Sequence, residues 1–135
     1  MARNPRKLRV FGLADALVPQ IYEATKTFPA DERFGLVAQM RRAAVSAAAN
    51  IVEGCARRTT QDYLRFLSIA NGSAYELAYL LGLSARLGMI AQQKANVLAD
   101  GAGHIAASLT ALIESLDQAD DDEAPPTRPL RKRKT

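Results

Sequence analysis

The pattern of apolar and polar positions predicts four helices and no strand. Apolar residues return every three or four positions, the period of one helix face, in four separate segments of the chain. Pro29 closes the first segment, Gly54 and the stretch that follows it close the second, and Gly88 closes the third. The predicted helices cover about residues 14–28, 32–55, 60–87 and 91–117.

The second predicted helix carries a polar seam through a sequence rich in alanine and valine. The seam residues are spaced 3, 4, 4 and 3 positions apart, so they lie on one stripe of the helix. Apolar residues flank the seam on both sides, so neighbours have to cover two faces. We therefore expect an oligomeric helical bundle whose register is set by polar contacts. The expected interface residues are Gln39, Arg42, Ser46, Asn50 and Glu53 on this helix, with Ser73 and Glu76 on the third.

The third predicted helix carries a second polar stripe of the same spacing, which passes through Gly72 and Glu76. Because a glycine inside a helix costs about 1 kcal/mol relative to alanine, Gly72 and Gly82 predict a close backbone contact. Glu53 and Glu76 have two interpretations, a paired carboxylate site or ion pairs with Arg42 or Arg65 across a helix interface. The absence of His or metal-ligand spacing nearby favours the ion pairs.

The sequence contains little that resembles a catalytic or metal centre. His104 is the one histidine and lies off the apolar seam of its helix, and it lacks a second His or Cys at ligand spacing. Cys55 beside Arg57 is at most a mildly activated thiol, and it predicts no internal disulfide. No glycine-rich phosphate loop occurs. We therefore expect no enzyme activity, metal, cofactor or small-molecule substrate.

The chain is basic because of its ends. Residues 1–10 hold four basic residues and no acidic one, and residues 119–135 hold five basic and four acidic residues. The remaining body holds nine basic and ten acidic residues. We expect a flexible basic arm over 1–10, a bundle over 11–117, and a disordered charged tail over 118–135. No apolar stretch is long enough to span a membrane, and the lone cysteine fits a cytoplasmic location.

Four arginines on the body are the candidates for contacting nucleic acid. Arginines at a helix end can hold phosphates, and basic arms add attraction that falls with salt. The alternative is that Arg57 and Arg58 only compensate the negative end of the second helix. The candidate residues are Arg41, Arg57, Arg58 and Arg65.

The chain resembles a four-helix-bundle family that includes proteins encoded by intervening sequences of bacterial 23S ribosomal RNA. The resemblance covers roughly residues 11–116. It is carried by Phe28-Pro29, the 32–36, 39–46 and 50–54 motifs, Arg58, the 66–73 motif and Glu76-Leu77.

The resemblance implies an all-α, antiparallel up-down-up-down four-helix bundle without catalytic residues. It also implies a pentameric ring, because related accessory proteins of diversity-generating retroelements form pentameric barrels with a basic surface proposed to bind nucleic acid. We expect a homo-oligomer that binds RNA or a ribonucleoprotein through phosphate contacts. The alternative is a protein-interaction scaffold with no nucleic-acid role.

Overall fold

Four long helices make up most of the computed structural model, which describes residues 3–123, with side chains described over 3–119. The helices are α1 (Arg9–Thr25), α2 (Leu36–Cys55), α3 (Thr60–Arg86) and α4 (Gln92–Glu123). Short 3-10 helices at Pro5–Lys7 and Ala30–Glu32 precede α1 and α2. Within residues 3–123 there is no strand, so the all-helical prediction is confirmed.

The apolar stripes of all four helices face one common core. α1 packs against α2 and α4, and α3 packs against the same two helices, which is consistent with a four-helix bundle. The most deeply buried side chains include Ile21, Met40 and Ile51. Others come from α3 and α4, namely Tyr63, Leu67, Leu77, Leu81, Ile105 and Leu109.

Two predicted helix bounds are wrong at their N-terminal ends. α1 begins at Arg9 rather than near Ala14, and Pro19 lies inside it with its side chain exposed. α2 begins at Leu36 rather than near Glu32, because Glu32 ends a separate 3-10 helix. Its carboxylate accepts a hydrogen bond from the Leu36 backbone N–H at 3.1 Å, which satisfies a free donor at the start of α2.

The predicted ends of the domain also differ from the observed elements. Residues 3–10 form the first 3-10 helix and the start of α1, and the Arg3 backbone N–H donates to the Cys55 carbonyl at 3.1 Å. α4 continues to Glu123, beyond the predicted boundary at residue 117. Residues 1–2 of the predicted arm and residues 124–135 of the predicted tail, with its terminal basic residues, lie outside the described residues.

The close approach of α2 and α3 occurs at Gly54 and not at the glycines that the sequence suggested. A Cβ at Gly54 would lie 3.1 Å from Phe66 Cβ and 3.3 Å from the Tyr63 carbonyl oxygen. At Gly72 and Gly82 an added Cβ would meet nothing within 4 Å, so the prediction for these two glycines is wrong for the single chain. Gly54 therefore lets the two helices meet at the end where they are connected.

Candidate nucleic-acid interface

Arginine and aromatic side chains converge where α2 passes into α3. The guanidinium carbons of Arg57 and Arg65 each lie 4.6 Å from the centre of the Phe66 ring. Arg3 lies 4.1 Å from the centre of the Tyr63 ring. A guanidinium that stacks on a ring by its face keeps the N–H donors in its plane, where they can meet a phosphate. We call Arg3, Arg57, Arg58 and Arg65 the arginine cluster.

The local backbone explains why these side chains meet. α2 ends at Cys55, and the side chain of Thr59 caps α3 by accepting a hydrogen bond from the Asp62 N–H at 3.1 Å. The connection is therefore only a few residues long, and it holds Arg57 and Arg58 close to Arg65 in the second turn of α3.

Arg3 belongs to the arginine cluster although the sequence pattern did not single it out. Besides stacking on Tyr63, its Nη1 donates to the Arg57 carbonyl at 3.2 Å. The N-terminal segment therefore folds over the end of α2, where a cation compensates the negative end of the helix. The periodicity of α3 marks Tyr63 and Phe66 only as core residues, and no sequence signal pairs either ring with an arginine.

Two carboxylates near the arginine cluster partly neutralise its positive charge. Glu53, near the end of α2, pairs with Arg57 at 2.6 Å, and Asp62 lies in the first turn of α3. The expected pairing of Glu53 with Arg42 or Arg65 is wrong for the single chain, because Arg57 follows the end of α2 at i, i+4 spacing from Glu53. Glu76 is exposed, and no ion pair of Glu76 or Arg58 occurs among the described side chains.

Beneath the cluster lie Cys55 and Tyr63, which are both buried. Burial raises the pKa of the Cys55 thiol, and the nearby Tyr63 hydroxyl and Arg3 offset this only in part. Burial, with the Cys55 charge as a second cause, raises the pKa of Tyr63 to about 12. The expectation of a mildly activated thiol is therefore wrong, since a buried thiol with a raised pKa is less reactive than a free one.

Arg41, the remaining predicted nucleic-acid contact, lies elsewhere. It lies on α2, 14 positions before Cys55, the last residue of that helix, which corresponds to roughly 21 Å along the helix. Its Nε donates to the Thr25 hydroxyl at 2.9 Å, and its guanidinium carbon lies 4.5 Å from the centre of the Tyr22 ring. Arg41 therefore anchors α1 to α2 and does not join the arginine cluster.

The structure brings together the middle of the predicted polar seam. The hydroxyl oxygens of Ser46 and Ser73 lie 2.8 Å apart, which joins α2 to α3. The Asn50 amide donates to the Ser46 hydroxyl and to the Ser46 carbonyl, both at 2.9 Å. The other seam residues, Gln39, Arg42, Glu53 and Glu76, are exposed in the single chain.

Apolar side chains beside this seam are also exposed. Val45 and Val52 on α2 are 41% and 44% exposed, and Ile69 and Tyr79 on α3 are exposed as well. Val45 and Val52 lie on one of the two apolar faces that flank the polar seam of α2 and that neighbours were expected to cover. We call these four residues, with Ala49 between the valines, the α2–α3 face.

Within the described residues, no group of three or more His, Cys, Asp or Glu side chains is placed to hold a metal ion. His104 is exposed on α4, as expected. None of the helices within residues 3–123 combines the length and apolar character needed to cross a membrane.

These features define an all-helical domain of four helices with an arginine-rich end. Residues 6–111 match the family of 23S rRNA-intervening sequence proteins, and the chain belongs to that family. The resemblance inferred from the sequence motifs is therefore confirmed.

The fold is similar to that of the crystal structure of a protein of unknown function from the S23 ribosomal protein family of Bacteroides thetaiotaomicron. It shares 23% sequence identity with this chain at a TM-score of 0.71. The match covers 78% of this chain and 98% of the other. No curated protein matches the chain.

Proposed function

We propose that this protein is a non-enzymatic, oligomeric helical bundle of the cytoplasm that binds structured RNA through phosphate contacts. The observation that carries the proposal is the arginine cluster, in which Arg57 and Arg65 both stack on the Phe66 ring. Arg57 gives one donor to Glu53, whereas Arg65 is exposed and has no ion pair among the described side chains, so its N–H donors are available to a ligand. The family name, which refers to an intervening sequence of 23S ribosomal RNA, supports RNA as the ligand.

The proposed bundle is antiparallel, with an up-down-up-down path, and assembles as a pentameric ring. Two contacts between α2 and α3 support the antiparallel path. Gly54 near the end of α2 meets Tyr63 near the start of α3, while Met40 near the start of α2 accepts from Ser84 near the end of α3. The α2–α3 face supports assembly, because exposed valine and isoleucine side chains gain about 25 cal/mol per Å² when a partner covers them.

Assembly matters for binding because one arginine cluster is a weak ligand site. Glu53 and Asp62 lie near it, and exposed charge pairs contribute little in water. A closed ring repeats the cluster at every subunit, so several weak contacts act on one RNA molecule at a high effective concentration.

The test is the salt dependence of binding to a fluorescein-labelled RNA hairpin. We expect affinity to fall steeply with salt, and the double variant Arg57→Ala with Arg58→Ala to bind more weakly. The salt slope of the double variant should flatten by about 2 for each subunit in contact.

The matched control is Arg86→Ala with Lys94→Ala, which removes two exposed cations near the connection of α3 to α4. This control should leave both the affinity and the slope close to those of the wild type. No binding at low salt, or equal slopes for the two double variants, would overturn the proposal.

A second candidate is a protein-interaction scaffold, and the exposed α2–α3 face is the observation that favours it. In that case a partner protein, and not a second copy of the chain, would cover Val45 and Val52. Such a partner would be recovered at a stoichiometric level, and treatment with RNase would not release it.

A further inference from the structure

A groove between the end of α1 and the start of α2 contains aromatic and cationic side chains that the proposed function does not use. Its volume is about 500 Å³. Two aromatic rings and three arginines are among its lining residues, namely Tyr22, Phe34, Arg33, Arg41 and Arg42. No acidic residue lines it.

Phe34 is the feature of this groove that the fold does not explain. Its side chain is 88% exposed, more than any other large apolar residue among the described side chains. It lies in the short link between the 3-10 helix at Ala30–Glu32 and α2, and the Arg33 guanidinium carbon lies 5.4 Å from its ring centre. An exposed ring beside a cation offers a stacking surface to a planar ligand.

The cations around Phe34 favour an anionic ligand. An adjoining cavity of about 370 Å³ shares Arg33 and Arg41 with the groove and adds Lys26, and it also has no acidic lining residue. Lys26 pairs with Glu23 at 2.9 Å, but no ion pair of Arg33 or Arg42 occurs among the described side chains. Arg33 is therefore available to a phosphate, whereas Arg42 and Val45 line the edge of the groove that the proposed assembly covers.

Tyr22 also lines the groove and is held in place. The Arg41 guanidinium stacks on its ring at 4.5 Å, and Arg41 is fixed in turn by its hydrogen bonds to Thr25 and to the Tyr22 carbonyl. The groove is thus lined by one held ring, one exposed ring and three arginines.

We infer that this groove binds a short unpaired stretch of nucleic acid, with a base stacked on Phe34 and the adjacent phosphate held by Arg33. The inference deepens the proposed function. It rests on that function in one respect, because the structured RNA would supply the unpaired stretch. Arg41 in the groove lies roughly 21 Å from the end of α2, next to the arginine cluster, so one folded RNA can reach both.

The test uses fluorescence anisotropy with a fluorescein-labelled single-stranded hexa-adenylate. Stacking of one base on an aromatic side chain is worth about 1–3 kcal/mol, so Phe34→Ala should weaken binding roughly 5- to 150-fold. Because the ring carries no charge, the salt slope should stay unchanged in this variant, whereas Arg33→Ala should flatten it by about 1.

The matched control is Tyr75→Ala, which removes another exposed ring, on α3, and should leave the affinity unchanged. Failure of the wild-type protein to bind the oligonucleotide, or equal binding by Phe34→Ala, would overturn the inference. So would a change in the assembly mass of Phe34→Ala, because Phe34 would then be a protein contact.

Two further outcomes separate this inference from the proposed function. If the oligonucleotide is lost in Arg57→Ala with Arg58→Ala but kept in Phe34→Ala, the arginine cluster accounts for binding and the inference fails alone. If the oligonucleotide binds through Phe34 while the RNA hairpin does not bind, the groove stands and the proposed function fails.

Discussion

At the scale of single residues, Cys55 and Tyr63 are buried beneath the arginine cluster, and the ionisation of Tyr63 affects the stability of the fold. Tyr63 is buried beneath Arg3, and its pKa is raised to about 12 by burial and by the neighbouring Cys55. An unfolded tyrosine has a pKa near 10, so the neutral ring is favoured in the folded state. Its contribution to stability is therefore complete below about pH 10 and is lost as the pH rises toward 12.

This shift predicts a difference between the wild type and Tyr63→Phe at alkaline pH. Between pH 8 and pH 11 the wild type should lose about 1 to 2 kcal/mol more of its unfolding free energy than the variant, which has no hydroxyl to ionise. Urea unfolding at pH 8 and pH 11 measures the loss of unfolding free energy in each protein. The exposed tyrosines are present in both proteins, so their contribution cancels when the two losses are compared. Equal losses in the two proteins would show that Tyr63 titrates normally.

The sequence indicated which arginines of the body could contact nucleic acid, but it did not show which of them lie close together. Arg57 and Arg58 follow a predicted helix end, and this signal is sufficient to predict that they lie near each other. Arg41 could not be separated from them, because its partners Thr25 and Tyr22 come from another helix. The place of Arg3 in the cluster could not be predicted for the same reason, since its contacts with Arg57 and Tyr63 span more than fifty residues.

At the scale of helices, the packing of α2 against α3 depends on Gly54. The periodic apolar pattern was sufficient to predict which faces are buried, because burial of a stripe repeats along the whole helix. It could not show which glycine permits close approach, because that depends on the crossing point of two helices. Gly72 and Gly82 looked alike in the sequence, yet the crossing lies near the turn at Gly54.

Alanine substitutions at two glycines test this assignment. Gly54→Ala should lower the unfolding free energy by about 1 kcal/mol or more, because the new methyl group forces α2 and α3 apart. Gly103→Ala, on the exposed side of α4 with nothing within 4 Å, should instead raise it by up to about 1 kcal/mol.

Urea unfolding at one fixed protein concentration compares the two variants, because assembly makes stability depend on concentration. If Gly54→Ala proved as stabilising as Gly103→Ala, Gly54 would not limit the approach of the helices.

At the scale of the whole molecule, the charge distribution and the exposed α2–α3 face support each other. A body with nearly balanced charge gives one subunit little attraction for RNA, so the proposed binding requires the arginine cluster to be repeated. The polar seam predicted an assembly, and in the single chain Ser46, Asn50 and Ser73 are joined by hydrogen bonds while Glu53 pairs with Arg57. Gln39, Arg42 and Glu76 stay exposed beside Val45, and contacts with a sister copy are the proposed explanation.

The measurement that tests the account most directly is the mass of the purified protein by light scattering. We expect a particle of about five times the 14.6 kDa chain mass, because sister copies cover the α2–α3 face. Val45→Asp with Val52→Asp should reduce it to the single chain while helix content is retained, since buried unpaired carboxylates oppose assembly. Val97→Asp, at a 65% exposed position on α4, should keep the full mass. A well-folded wild-type monomer at high concentration would contradict the account.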